Sequence, residues 1–199
     1  MAYEYDVFLS YPRCPPVGNW VHEHFSELLR LWLTQSLGRE PAIFLDQDSV
    51  ETGDAWPERL RRSLVRSRLM VAVWTPPFFF SSRWCRIELH SMLERERRYG
   101  LRTENDPSGL VWPVVFHDGE NFPTEARTIA SDDFRKWAVS APYFRNTATY
   151  IDLEKATRDF AVRLAPRIGA VPEWSPDFPI IEPAPLDPPD PLMPAPPSM

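Results

Sequence analysis

Cysteine is nearly absent. Cys14 and Cys85 are the only two among 199 residues, too few for a disulfide framework or a thiolate metal site. Lysine is as rare: with only Lys136 and Lys155, arginine carries almost all the basic charge. Acidic residues outnumber basic ones, 28 to 22, giving a net charge of −6, which argues against a general nucleic-acid binder. No apolar run approaches the roughly 20 residues needed to span a bilayer, so no membrane segment is expected. The opening MAYEYDVFLSY has acids and no basic stretch, so it does not read as a signal peptide. These absences point to a reducing cytoplasm. No GxGxxG motif occurs, which excludes an ordinary dinucleotide-binding fingerprint.

What is present is a globular composition, 43% hydrophobic and 25% charged. The length suits one domain of about 150 residues plus an appendage. Proline marks the boundary: 23 occur in all, and eleven fall after Val171. That stretch also holds five acids (Glu173, Asp177, Glu182, Asp187, Asp190) and no basic residue. It cannot bury enough surface to offset its ordering entropy. We therefore read a domain over 1–170 and an extended or disordered acidic tail over 171–199, with polyproline II in places. Trp174, Phe178, Ile180 and Ile181 are candidates to pin the first part of that tail to the domain.

Along the domain, strand and helix patterns alternate five times. Tyr5 to Tyr11 is an apolar run suited to a buried strand. Asn19 is a candidate N-cap for a helix from Trp20 to Leu37, which Gly38 closes. Ala42 to Leu45 is a short strand, and 46–54 is a polar loop with three aspartates. Trp56 to Arg66 reads as a helix, with Pro57 in its first turn. Leu69 to Trp74 is the third strand, followed by an aromatic loop, Thr75 to Ser82, and a helix to Tyr99. Leu110 to Phe116 is the fourth strand. Pro113 places it near an edge or a bulge. Further on, Phe134 to Val139 reads as a short helix or loop, Tyr143 to Tyr150 as the last strand, and Ile151 to Ile168 as the final helix. The predicted architecture is a three-layer α/β fold. Its flavodoxin-like, mainly parallel five-stranded sheet has helices on both faces.

One stretch suggests chemistry. In Leu69 to Leu89 an apolar strand leads through a loop into a helix carrying Trp84 and Glu88. Four residues apart, they share a helix face about one turn apart along the axis. A carboxylate beside a large ring, just past a strand's carboxyl end, stands where open α/β sheets bind ligands. Other clusters point less clearly. Asp46, Asp48 and Asp54 lack EF-hand spacing. His22 and His24, two apart on a helix, do not share a face. Cys85 adjoins the carboxylate without an evident His or Asn partner, as buried filler would. No metal site is expected.

Three segments together resemble the Toll/interleukin-1 receptor (TIR) domains, in particular bacterial ones. Tyr5-Asp6-Val7-Phe8-Leu9-Ser10-Tyr11 is similar to the family's opening strand. Phe44-Leu45-Asp46 through Gly53, with the following helix, resembles its second strand and long BB loop. Ser81-Ser82-Arg83-Trp84-Cys85-Arg86-Ile87-Glu88-Leu89 resembles its WxxxE helix motif. The resemblance covers residues 3 to 168. Many members cleave NAD⁺ at the nicotinamide–ribose bond, and others are scaffolds that only associate with partner TIR domains. The resemblance implies Glu88 as the catalytic glutamate and Trp84 as the motif tryptophan. It places Ser10, Tyr11 and Arg13 in the loop lining the nucleotide pocket, although Pro12 departs from the commoner pattern there. Phe44 and Phe79 join Trp84 as stacking candidates.

The chemistry suits one carboxylate. Glycoside hydrolysis usually needs a second to protonate the leaving group. Nicotinamide, however, leaves a pyridinium as a neutral molecule. An ionised carboxylate can oppose the oxocarbenium charge and hold ribose hydroxyls. Helix N-termini near residues 18–20 and 55 would supply N–H groups for the pyrophosphate. NAD⁺ is then a substrate, and no resident cofactor is expected. The leading expectation is an NAD⁺ glycohydrolase, with cyclisation to a cyclic ADP-ribose as an alternative outcome. It would act in antiphage defence and be switched on by assembly. The runner-up is a non-catalytic TIR–TIR module docking through the 46–54 loop and the third helix. A phosphoacceptor receiver domain is disfavoured, because the third strand ends in Trp74-Thr75 rather than Asp.

Overall fold

The computed structural model describes residues 2–45, 58–184 and 186. The 46–54 loop, the start of the helix expected at Trp56 and the end of the tail lie outside the described residues. Among the described residues, five strands form one sheet in the order β2-β1-β3-β4-β5, every pairing parallel. They are β1 (Tyr5–Ser10), β2 (Ile43–Leu45), β3 (Ser67–Trp74), β4 (Val111–Val115) and β5 (Asp132–Asp133). β3 lies at the centre, and its last six residues are all buried. That matches the continuous apolar run expected of a strand covered on both faces.

The order reverses direction after β1. Right-handed crossovers then put the connection from β1 to β2 on one face and the later ones on the other. The first connection comprises α1 (Val17–Trp20), a π-helical turn (Val21–Phe25) and α2 (Ser26–Leu37). The second face receives α3 (Glu58–Val65), α4 (Pro76–Phe80), α5 (Arg83–Tyr99) and α6 (Thr124–Arg127). The last helix, α7 (Ala148–Ala170), packs along α2. Between α2, α7 and the sheet sits an aromatic core. Trp20 stacks on Phe25 at 4.9 Å, and Phe134 and Phe160 meet Phe25 at 5.6 and 6.4 Å.

Pro113 is tolerated inside β4 for a geometric reason. Leu110 O accepts from Met70 N–H and Phe116 N–H donates to Trp74 O, so alternate groups face β3. The proline nitrogen points the other way, where β5 begins only opposite Val114.

Four expectations are corrected. The last strand is at Asp132–Asp133, not between 143 and 150. There, Pro142–Asn146 forms a 3₁₀ helix, and the Thr147 hydroxyl accepts from Tyr150 N–H to cap α7. Asn19 is no cap, because the helix has already begun at Val17. The helix to Leu37 is interrupted by the π turn. The aromatic loop contains α4, capped by Thr75, with prolines in its first turn.

From Val171 the chain is extended and packs on the domain. Trp174 Nε1 donates to Val65 O at 3.1 Å, and Ile181 N–H donates to Ser91 Oγ at 2.9 Å.

Candidate functional site

β1 and β3 are adjacent and parallel, with Ser10 opposite Ala72, so their carboxyl ends open on the same edge. This is where the strand order reverses, the usual place for a ligand in an open α/β sheet. Two helices in succession leave β3. α4 is capped by Thr75, and α5 by Ser82, whose hydroxyl accepts from Cys85 N–H at 3.3 Å. The caps fix the entry of α5. They set Trp84 in its first turn and Glu88 in its second, over the end of β1.

Glu88 is buried, 5% exposed, and Ser10 Oγ donates to its Oε2 at 2.5 Å. Cys85 lies against both. Burial pushes its thiol pKa well up and the Glu88 charge adds to that, while hydrogen bonds with Ser82 and Ser10 and the charge of Arg13 oppose it. Cys85 therefore stays a thiol, which rules it out as a ready nucleophile. The same influences bring Ser10, Arg13, Ser82, Cys85 and Glu88 into one neighbourhood.

The other expected residues divide into two groups. Tyr11 is buried, and a 2.7 Å hydrogen bond joins its hydroxyl to His22 Nε2. Burial lowers the pKa of His22, so the ring is neutral at pH 7. Arg13 is partly exposed on a loop that folds tightly onto the helix start. A Cβ at Gly18 would lie 2.5 Å from Arg13 O, so that approach requires glycine. Trp84 is half-buried, with the Arg83 guanidinium over its ring, 5.3 Å from the centroid. Phe44 and Phe79, by contrast, give their rings to the core. Phe44 stacks on Phe8 at 5.1 Å, and Phe79 packs between Trp74 and Phe122 at 5.4 and 4.9 Å.

The helix N-terminus expected near 18–20 offers fewer donors than anticipated. Gly18 N–H already donates to Cys14 O, and Trp20 N–H to Pro16 O. The one near residue 55 lies outside the described residues.

Sequence reasoning missed three features. It named Ser10 but not as the partner of Glu88, a contact across 78 positions that no spacing rule reveals. It weighed His22 only as a metal ligand. It also missed a cleft of about 420 Å³ further along the same edge, lined by Trp74, Asp118, Phe122, Arg127, Asp133 and Arg135 among others. The charges there are satisfied locally, Arg135 by Asp133 at 2.7 Å and Arg127 by the Phe122 carbonyl. Among the described residues no group of His, Cys, Asp and Glu is placed to hold a metal ion, and no helix is long and apolar enough to cross a membrane.

The fold and site define a doubly wound α/β domain with a buried carboxylate at its topological switch point. The family model described as TIR domain matches residues 7–164, and the chain belongs to that family. Among solved structures it resembles the TIR domain of the Toll-related receptor TRR-2 from the lower metazoan Hydra magnipapillata. Identity is 18% and TM-score 0.44, over 77% of this chain and 98% of that one. It also resembles the TIR domains of the activated Roq1 resistosome directly recognizing the pathogen effector XopQ. There identity is 22% and TM-score 0.41, over 79% of this chain and 84% of that one. No curated protein matches the chain.

Proposed function

We propose that this TIR domain is an NAD⁺ glycohydrolase that cleaves the nicotinamide–ribose bond, with Glu88 as its catalytic residue. The observation that carries the reading is the Glu88 carboxyl, held by Ser10 at the carboxyl end of β1 and largely removed from water. In such a site a carboxylate opposes developing positive charge far more strongly than it would in bulk solvent. Ser10 occupies one lone pair of Oε2 and fixes its orientation. An ionised carboxylate is an acceptor, the role that holding ribose hydroxyls requires. Trp84 offers a partly exposed ring face to the pyridinium or the adenine. Arg13 supplies positive charge near the thiol and carboxylate, suited to a phosphate oxygen. NAD⁺ is consumed as substrate, with ADP-ribose or a cyclic isomer as product. The reading extends to a bacterial effector in cytoplasmic antiphage defence, activated when copies assemble through the 46–54 loop and α5.

A second reading, a non-catalytic association module, is favoured by one fact: Glu88 is already hydrogen-bonded and only 5% exposed, as a structural carboxylate would be. Nicotinamide release by the concentrated protein separates the two. Glu88→Ala is expected to lower release by at least about 10²-fold, the scale of removing one charge-stabilising group. Equal release by Glu88→Ala, with its fold intact, would take Glu88 out of the mechanism. NAD⁺ left intact by the assembled wild-type protein would favour the association module.

A further inference from the structure

α5 carries a second pattern along the face that bears Glu88. Trp84, Glu88, Ser91, Arg95 and Tyr99 recur at spacings of four, three, four and four, forming one stripe. The amino-terminal part of this stripe belongs to the site. The remainder lies beneath the chain after α7. Tyr99 Oη donates to Glu173 O at 2.8 Å, and Arg98 Nη1 to Asp177 O at 3.0 Å. The Phe178 ring lies 3.8 Å from the Arg95 guanidinium, Ile181 N–H donates to Ser91 Oγ, and Glu182 pairs with Arg83. The segment thus runs antiparallel to α5 and ends at the turn that carries Trp84.

Its two ends are held differently. At the Arg95 end the contact is buried. Arg95 is 2% exposed, donates to Ser67 O at 2.7 Å and sits among the rings of Tyr3, Tyr99 and Phe178. Phe178 is the only one of those rings that comes from the strap, so it acts as the plug. At the Arg83 end the contact is exposed, with side chains 58% and 61% accessible. Exposed ion pairs are weak and screened by salt. Yet the guanidinium that Glu182 engages is the one lying over the Trp84 ring. A firm anchor with a labile charged tip is the construction of a latch.

We propose that residues 173–182 are an intramolecular strap whose Glu182 holds Arg83 across Trp84 and so restricts the approach to Glu88. The effect on turnover rests on the glycohydrolase reading; the covering of Trp84 does not. When the tip lets go, Arg83 is free to leave the ring and the ring face opens to a flat cationic ligand such as the pyridinium of NAD⁺.

The experiment uses the full chain labelled with 5-fluorotryptophan, the Trp84 resonance being assigned with Trp84→Phe. A neutral paramagnetic probe reports exposure of the Trp84 ring, and exchange of the Ile181 amide reports docking of the strap. Glu182→Arg is expected to raise probe broadening at Trp84 about two- to five-fold, the population change a weak exposed pair allows. Glu182→Gln, which can still accept a hydrogen bond from Arg83, is expected to raise it less than Glu182→Arg does. Phe178→Ala is expected to speed Ile181 exchange about tenfold or more, as local undocking of a segment would. Nicotinamide release is expected to rise with Trp84 exposure. Unchanged exposure of Trp84 in Glu182→Arg, or in Phe178→Ala with fast Ile181 exchange, overturns the strap's hold on the site. Unaltered Ile181 exchange in Phe178→Ala overturns the anchor. Exposure that responds as expected, with no nicotinamide released by any form, supports the strap and counts against the glycohydrolase reading alone.

Discussion

Ser10 Oγ donates to Glu88 Oε2 across 2.5 Å, joining the last residue of β1 to the second turn of α5. Both are buried, so the bond fixes the carboxyl's orientation without help from solvent. It also ties the central sheet to the helix that carries the proposed chemistry.

Ser10→Ala is expected to leave the carboxylate short of a partner. Losing a buried hydrogen bond to a charged group costs about 1.5–3 kcal/mol, so the melting temperature should fall by several degrees. Nicotinamide release should drop about tenfold, less than for Glu88→Ala, because the charge remains while its orientation loosens. Calorimetry paired with product assay checks both. Loss of stability with full turnover would make Ser10 purely structural.

Asp6, at the opposite end of β1, gives a pH test. Burial acts to raise its pKa, but the hydrogen bonds from Arg39 at 2.7 and 2.8 Å and from Ala42 N–H at 2.9 Å outweigh it, so the net shift is downward. A carboxyl depressed in the folded state adds stability above its unfolded pKa and loses it as pH falls through the folded value. Asp6→Asn should therefore cost about 1–2 kcal/mol at pH 7, discounted because Arg39 is half exposed. The gap to wild type should shrink below about pH 4. Melting curves from pH 3 to pH 7 measure it. A gap independent of pH would show that the charge is not what matters.

Glu96 closes the turn between α5 and β4. Its Oε1 accepts from Leu110 N–H at 2.6 Å and Val111 N–H at 2.8 Å, and Arg102 Nε pairs with Oε2 at 2.8 Å. A Cβ on Gly109 would come within 2.3 Å of Oε1. Glu96→Ala is expected to cost about 3–5 kcal/mol by stranding buried partners. Gly109→Ala should cost somewhat less, since it displaces the carboxylate without removing it. Urea midpoints for the two variants test the order. A neutral Gly109→Ala would mean that the turn can yield.

Much of this was readable from the residues. Five alternations of apolar strand and amphipathic helix point to a parallel sheet, and the run Leu69 to Trp74 sits at its buried centre. Trp84 and Glu88 share a helix face because their spacing requires it. The corrections have specific causes. β5 consists of two aspartates that pair with an edge through backbone groups alone, so no hydrophobic pattern announces it. α4 is short, but Thr75 followed by two prolines is a readable cap-and-start signal. The candidate site residues separated in the structure: the stacking candidates Phe44 and Phe79 turn into the core, while Ser10, implied by the family resemblance, meets the carboxylate.

Periodicity, proline placement and the Trp84–Glu88 spacing, all local properties of the chain, settled by themselves the fold class, the helix that carries the carboxylate and the start of the proline-rich segment. Only the tertiary structure decided that Ser10 would hold Glu88, that His22 would meet Tyr11, and that residues 173–182 would lie along α5 with Phe178 over Arg95. Those contacts join segments up to 99 residues apart. Strand order and crossover hand set them, and neither is written in the spacing of residues along one element.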